Sequence, residues 1–227
     1  VLPRFQQTRG ILRLLALWVS KAYQEGFKGA HRDHLIGLGT APLDDPLFQA
    51  AVFEQLGESK LIGAVTTDIC GKKDAHALRL DKEAVESIKK SCLHRKVATS
   101  IFFESNGGMA NEIATVPEIR LAVGNPEQDI ANVETVLDNL TSNCYYLSTE
   151  RNYYRFGIKP NLIKLLADRR ANIKDPQIYE RVREQVQKVF AEGNGVERAY
   201  FPAKSSEVAD RAILTIAIVD PEKSLQD

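Results

Sequence analysis

The chain has 227 residues, of which 44% are hydrophobic and 26% are charged. This composition is sufficient for one large domain or two to three small ones, and it argues against wholesale disorder. Thirty Lys and Arg residues balance thirty Asp and Glu residues. The zero net charge argues against a uniformly basic nucleic-acid binder but leaves room for a local basic patch.

The cysteines Cys70, Cys92 and Cys144 are isolated, with neither a CxxC pair nor a Cys/His ligand spacing. Their pattern argues against a disulfide scaffold or structural zinc, and it favours reduced core cysteines in a cytoplasmic protein. The apolar stretches are too short and interrupted to span a bilayer, and no signal peptide opens the chain, so we expect no membrane contact. Since the chain starts at Val1 without a methionine, we expect an internal fragment.

Apolar residues at helical spacing predict a first helix over residues 9–24, with Thr8 as its N-cap. A second helix is predicted over 47–56, where either Asp44 or Asp45 is a suitable cap.

The next segment gives mixed signals. Residues 60–69 fit either a strand or a short helix, and 80–92 predict a helix with Asp81 near its start. Residues 96–103 predict a strand, because they are rich in β-branched and aromatic side chains.

From Thr115 onward the order of elements is that of a winged-helix unit, in which the helix before the hairpin packs beside it and the hairpin forms the wing. The predicted elements are a short helix over 116–123 capped by Thr115 with Pro117 in its first turn, an amphipathic helix over 129–142, hairpin strands over 145–148 and 153–156, and a helix over 160–169.

The last segment combines a helix over 177–191 with strands over 200–202 and 212–219. The final strand is almost continuously apolar, which is typical of a strand buried on both faces. We therefore predict a mainly helical α+β protein. Its predicted parts are a helical lid-like segment (1–57), a mixed α/β connecting segment (58–114), a winged-helix-like domain (115–172) and a helix plus a terminal β element (173–227).

The helix before the wing is predicted to be acidic, and phosphates would repel it. Its acidic residues are Glu127, Asp129, Glu134 and Asp138, and residues 126–143 contain no Lys or Arg.

From Arg151 to Lys188, ten basic residues face four acidic ones. This excess can follow a nucleic-acid backbone, with Tyr153 or Tyr154 stacking on bases. The alternative is that these residues simply keep exposed faces solvated, which is the usual role of a run of charged residues. The candidate basic contacts are Arg151, Arg155, Lys159, Lys164, Arg169 and Arg170.

Catalytic and metal-binding motifs are mostly absent from the sequence. No GxxxxGK[ST] motif occurs, and residues 71–73 lack the glycine spacing and the hydroxyl that holds magnesium. His31 and His34 have a spacing that can share a metal ion, but no further ligands complete the set, so loop histidines are favoured. His76 and His94 stand alone, and we predict neither catalytic residues nor a metal site.

Several segments, taken in order, resemble the region after the ATPase core in a family of large, uncharacterised prokaryotic AAA+-like P-loop ATPases. That family occurs in DNA-modification and phage-defence gene neighbourhoods. The similar segments are 2–16, 44–46, 97–103, 118–122, 154–156 with 160–164, and 213–221.

The resemblance implies that the Walker motifs, and hence the ATP and Mg²⁺ sites, lie in a core upstream of this chain, which itself binds no cofactor. The first helix would be the lid, with Arg9 as the best match to an arginine that reaches the γ-phosphate and Arg13 as the second. The alternative for Arg9 is pairing with a carboxylate or with solvent. Gly10 beside it loosens the turn.

The function that the resemblance implies is a non-catalytic regulatory and coupling region. Its implied partners are the ATPase core, neighbouring subunits, defence-system proteins and DNA. Two alternatives stay open, a winged-helix DNA-binding module that uses its basic wing, and a purely structural protein-interaction surface.

Overall fold

The computed structural model describes residues 8–27, 35–106, 112–126, 129–191 and 195–223. The predicted fold class is confirmed, since these residues are mainly helical and form one three-stranded and one two-stranded sheet. They divide into two units, Val1–Leu165 and Leu166–Asp227, each described below by itself. His31 and His34 lie outside the described residues. Within them, no helix is long and apolar enough to cross a membrane.

In its described residues, the first half of the first unit contains helices and connecting turns but no strand. In chain order its α-helices are α1 (Thr8–Phe27), α2 (Pro46–Leu56), α3 (Ile62–Ala64), α4 (His76–Glu83), α5 (Glu86–Ser91) and α6 (Leu93–Asn106). Between them lie 3-10 turns at Leu38–Thr40 and Ser59–Leu61 and a π-helical turn at Val65–Ile69, so residues 60–69 are helical rather than extended.

Helix α2 begins as the sequence predicts. The Asp45 carboxylate accepts hydrogen bonds from the backbone N–H groups of Leu47 and Phe48, both at 3.0 Å. Pro46 occupies the first turn, where its missing N–H costs nothing. The helix ends at Gly57, whose φ of 68° suits a residue without a Cβ.

The strand predicted over 96–103 is wrong, because these residues form most of α6. Val97, Ile101 and Phe102 are fully buried there, and almost the whole circumference of the helix is covered. A helix that is buried all round needs apolar residues on every face and therefore loses the 3.6-residue periodicity. Tertiary burial overrides the β-propensity of its Val, Ile and Phe residues.

The single helix predicted over 80–92 is divided into two helices. Ala84 and Val85 adopt extended backbone angles, with ψ of 165° and 153°, and separate α4 from α5. Asp81, predicted near a helix start, lies in α4 and points its carboxylate at the first turn of α6.

The second half of the first unit follows α6 with strand β1 (Ala114–Thr115), helices α7 (Val116–Val123) and α8 (Asn132–Asn143), and hairpin strands β2 (Leu147–Glu150) and β3 (Tyr153–Phe156). The sheet is antiparallel in the order β1-β3-β2. As predicted, Thr115 caps α7 in a capping box with Glu118. β2 starts at Leu147 rather than at Tyr145, and it extends to Glu150, so the hairpin turn is shorter than predicted.

Helix α6 lies at the centre of the first unit and contacts α4, α7, α8 and β3. Two buried polar groups join it to the β2–β3 hairpin, which is called the wing below, since Asn106 Nδ2 donates to the Phe156 carbonyl and Ser105 Oγ accepts from the Phe156 N–H, each at 3.2 Å. The chain order is thus α6, β1, α7, α8 and the hairpin, and α6 contacts the hairpin directly.

The second unit contains α10 (Asp175–Val189) and the parallel strands β4 (Glu197–Tyr200) and β5 (Thr215–Ile218), while α9 (Leu162–Asn172) begins in the first unit and ends in the second. The expectation of a terminal strand buried on both faces is wrong. Ile218 is 8% exposed, but Ile216 is 46% exposed, because a two-stranded sheet has too little covering structure in the described residues. The strand predicted at 200–202 instead ends at Tyr200, before a positive φ at Phe201.

Candidate functional site

The tip of the wing carries two of the side chains predicted to contact nucleic acid. Arg151 and Asn152 form its two-residue turn with φ of 49° and 65°, as in a type I′ hairpin turn. Alternation along β3 then leaves Tyr153 45% exposed and buries Tyr154 in the core. Arg151 and Tyr153 are therefore available at the surface, whereas Tyr154 is not in a position to stack on a base.

Two other predicted contacts already bond within the chain. Arg155 Nη2 donates to Glu112 Oε2 at 2.8 Å. Lys164 Nζ donates to the backbone oxygens of Thr141 and Cys144, and so it binds the carbonyl end of α8. A phosphate would have to compete with both arrangements.

The remaining basic candidates are exposed but belong to different units. Lys159 lies in the first unit, while Arg169 and Arg170 lie in the last turn of α9 in the second. The first unit therefore contributes Arg151, Tyr153 and Lys159 as exposed candidates.

Helix α8, which precedes the wing, has an acidic surface. Asp129, just before the helix, is exposed, as are Glu134 and Asp138 within it, and Glu127 lies outside the described residues. Arg120 of α7 forms an ion pair with Glu134. Because phosphates would be repelled by the other carboxylates, this surface does not favour insertion of α8 into a DNA groove.

The arginines of α1 have different surroundings. Arg9 is exposed, whereas Arg13 Nη1 lies 3.1 Å from Glu54 Oε2 of α2, in a pair whose side chains are both more than half exposed. Gly10 faces the Gln55 amide so closely that a Cβ there would collide with it. A Cβ at residue 10 would only require the flexible Gln55 side chain to move, and the phosphate-binding roles of Arg9 and Arg13 stay predictions.

A site that the sequence analysis missed lies inside the first unit. Asp68 in the π-helical turn, His76 at the start of α4 and Cys144 after α8 form a cluster that we call the buried triad. One donor atom from each lies within 4.8 Å of the others, and all three residues are buried. Asp68 and His76 are near each other in the sequence, but Cys144 lies far along the chain, so no local spacing indicates the cluster. A π-helical turn often marks a functional site, but the sequence does not reveal that turn.

The Asp68 carboxylate is the centre of the buried triad. Its Oδ1 lies 2.7 Å from His76 Nδ1 and accepts from the Tyr145 N–H at 3.1 Å. Its Oδ2 accepts from the Tyr146 N–H at 2.6 Å. The Tyr145 ring also meets the His76 ring edge-on, with centroids 4.5 Å apart. Asp68 therefore holds the start of α4 and the segment before β2 against the π-helical turn.

The chemistry of the buried triad is limited by its burial. Burial raises the pKa of the Cys144 thiol well above its usual value, the Asp68 carboxylate raises it further, and Lys164 and Arg79 act in the opposite direction. A carboxylate, an imidazole and a thiol are also the components of cysteine-nucleophile sites. A protonated thiol is a poor nucleophile, which disfavours covalent catalysis, whereas a bound metal ion would itself deprotonate the thiol.

Comparison of the chain with protein-family models, with curated proteins and with solved structures finds no match.

Proposed function

We propose that the chain is a non-catalytic regulatory and coupling region of an AAA+-like ATPase in a DNA-related or phage-defence system. The observation that carries this proposal is helix α1, which has apolar side chains on two opposite faces. ATP and Mg²⁺ would be bound by the ATPase core and not by this chain. Its partners would be that core, neighbouring subunits and defence-system proteins.

One face of α1 belongs to the core of the first unit. Leu14 is 8% exposed, and Leu17 and Trp18 pack against the buried cluster. The Trp18 ring meets the Phe48 ring of α2 edge-on, with centroids 6.0 Å apart. This face is sufficient to hold α1 on α2.

The opposite face of α1 is also apolar but is exposed to solvent. Leu12, Leu15, Val19 and Tyr23 follow one another at intervals of three or four residues, with exposures of 59%, 48%, 54% and 69%. We call these four residues the outer stripe. A helix that is apolar on two opposite faces is typically covered on both, so the outer stripe favours a protein partner. The resemblance makes that partner the ATPase core that precedes the lid.

A cytoplasmic location belongs to the same proposal. Cys70 and Cys144 are buried thiols, as expected in a reducing compartment.

The test is a calorimetric titration of this chain against the P-loop ATPase core encoded in the same reading frame or beside it. The double variant Leu12→Glu/Val19→Glu places two charges in the outer stripe without changing a buried residue of the first unit. We expect it to weaken binding by about tenfold or more. The control is Leu162→Glu/Ile163→Glu, which charges two other exposed apolar residues, at 68% and 82% exposure. Equal binding by both double variants, or the absence of such a core, would contradict the proposal.

A second candidate function is DNA binding through the wing, favoured by the exposed Arg151 and Tyr153 at its tip. The acidic surface of α8 and the internal bonds of Arg155 and Lys164 argue against it, and it ranks below protein coupling.

A further inference from the structure

We propose that Asp68, His76 and Cys144 bind a single Zn²⁺ ion, with the chain supplying three ligands and a water molecule the fourth. This inference is independent of the proposed ATPase coupling, because the buried triad shares no residue with the outer stripe or the wing.

The donor set suits zinc. Carboxylate oxygen, imidazole nitrogen and thiolate sulfur are its three common protein ligands, with bonds of about 2.0 to 2.3 Å. In a tetrahedral site such bonds place donor atoms roughly 3.6 Å apart. The donor atoms of the triad lie within 4.8 Å of one another, and Asp68 Oδ1 and His76 Nδ1 are 2.7 Å apart, so Zn²⁺ would take the place of the hydrogen bond between these two atoms and move them apart to this spacing.

The charges also favour a divalent cation. Asp68 is fully buried and ionised Cys144 would add a second negative charge beside it, in a region where isolated charge is costly. One Zn²⁺ neutralises both charges. A bound cation deprotonates a coordinating thiol outright, which removes the effect of burial on Cys144.

The surroundings supply the orienting contacts that metal sites require. The backbone N–H groups of Tyr145 and Tyr146 hold the Asp68 carboxylate from the side of the chain that carries Cys144. The His76 ring meets the Tyr145 ring edge-on, with centroids 4.5 Å apart, which restrains its orientation. Contacts of this kind, made to the ligands rather than to the metal, fix the orientation of the ligands, and their loss typically lowers metal affinity by about 10- to 100-fold.

The three ligands come from the π-helical turn, the start of α4 and the segment after α8. Zinc would therefore cross-link the segment of residues 68–76 to Cys144, which is far from it in sequence, and would stabilise the folded state by its binding free energy.

Cobalt titration of the full chain tests the site, since Co²⁺ replaces Zn²⁺ and gives a near-ultraviolet charge-transfer band only with a thiolate ligand. All samples carry Cys92→Ser, because Cys92 is the exposed thiol. We expect about one equivalent of Co²⁺ to produce the band and one equivalent of Zn²⁺ to abolish it.

Cys144→Ser should remove the band, and Cys70→Ser is the matched control because Cys70 is also buried and free. If Cys144→Ser fails to fold, His76→Gln serves as the second variant and should weaken Zn²⁺ binding by at least about tenfold in native mass spectrometry. No band in the Cys92→Ser parent, or an equal band in Cys144→Ser, would overturn the inference.

Discussion

The carboxylate of Asp81 holds His94 by two hydrogen bonds, since its Oδ1 accepts from the backbone N–H at 2.9 Å and lies 3.0 Å from the ring Nδ1. Its Oδ2 accepts from the Arg95 N–H at 3.1 Å. Asp81 belongs to α4, yet it satisfies two of the free N–H groups at the start of α6. The central helix of the first unit is thus capped by a residue from another helix.

Asp81→Ala should destabilise the chain by about 2 to 4 kcal/mol, because it removes the cap of α6 and leaves buried donors of His94 unpaired. Urea unfolding followed by circular dichroism measures this change. Asp74→Ala is the control, since Asp74 is exposed and should stay within about 0.5 kcal/mol of the parent. Equal midpoints for the two variants would show that the cap carries no stability.

Gly39→Ala should destabilise the first unit by about 1 to 3 kcal/mol. A Cβ at Gly39 would lie 2.9 Å from the Lys96 carbonyl oxygen and 3.1 Å from Ser100 Oγ of α6, and the helix backbone has no room to move. At Gly157 no atom lies within 4 Å of an added Cβ, so Gly157→Ala serves as the control in the same thermal unfolding experiment. A Gly39→Ala variant as stable as its control would mean that the turn and α6 are not in such close contact.

In the folded chain, one thiol out of three should react rapidly with a disulfide reagent at neutral pH. Cys92 is exposed, whereas burial raises the pKa of Cys70 to about 12 and that of Cys144 well above its usual value. Because the thiolate is the reactive form, both buried thiols should stay protected until the chain unfolds. Cys92→Ser should abolish the rapid phase in an absorbance assay, and two rapid thiols in the parent would contradict the burial of this region.

If the wing binds nucleic acid, Arg151→Ala should weaken the binding and reduce its salt dependence, because one phosphate contact contributes about one unit to the slope of log affinity against log salt. Fluorescence anisotropy with labelled duplex and single-stranded DNA measures both quantities. Lys164→Ala is an instructive comparison, since Lys164 binds the end of α8 and its loss should lower stability more than DNA affinity. DNA binding that does not change with salt concentration would show that the wing makes no phosphate contact.

The elements that the sequence predicts well are those with local signals. Asp45 with Pro46 at the start of α2, and Thr115 with Glu118 at the start of α7, are caps whose hydrogen bonds lie within a few residues. The alternation of exposed and buried residues in β3, by contrast, is visible only in the folded hairpin, where Tyr154 and Phe156 are the buried residues.

The features that the sequence does not predict depend on contacts between distant residues. The sequence of α6 predicts a strand, because burial on all sides removes the helical periodicity of its apolar residues. The cap of this helix comes from Asp81 in another helix. The buried triad joins Asp68 to His76 and Cys144 through tertiary packing alone. No local spacing encodes either arrangement.

We propose that this chain couples an ATPase core to its partners, and steady-state ATP hydrolysis by that core, measured with and without the chain, is the most direct test. We expect no hydrolysis by the chain alone and a change of about fivefold or more in the rate of the core when the chain is present. Leu12→Glu/Val19→Glu should abolish this effect, and Arg9→Ala should reduce it far more than Arg13→Ala, whose side chain already pairs with Glu54. An unchanged rate of the core, or ATP hydrolysis by the chain alone that Arg9→Ala leaves intact, would contradict the account.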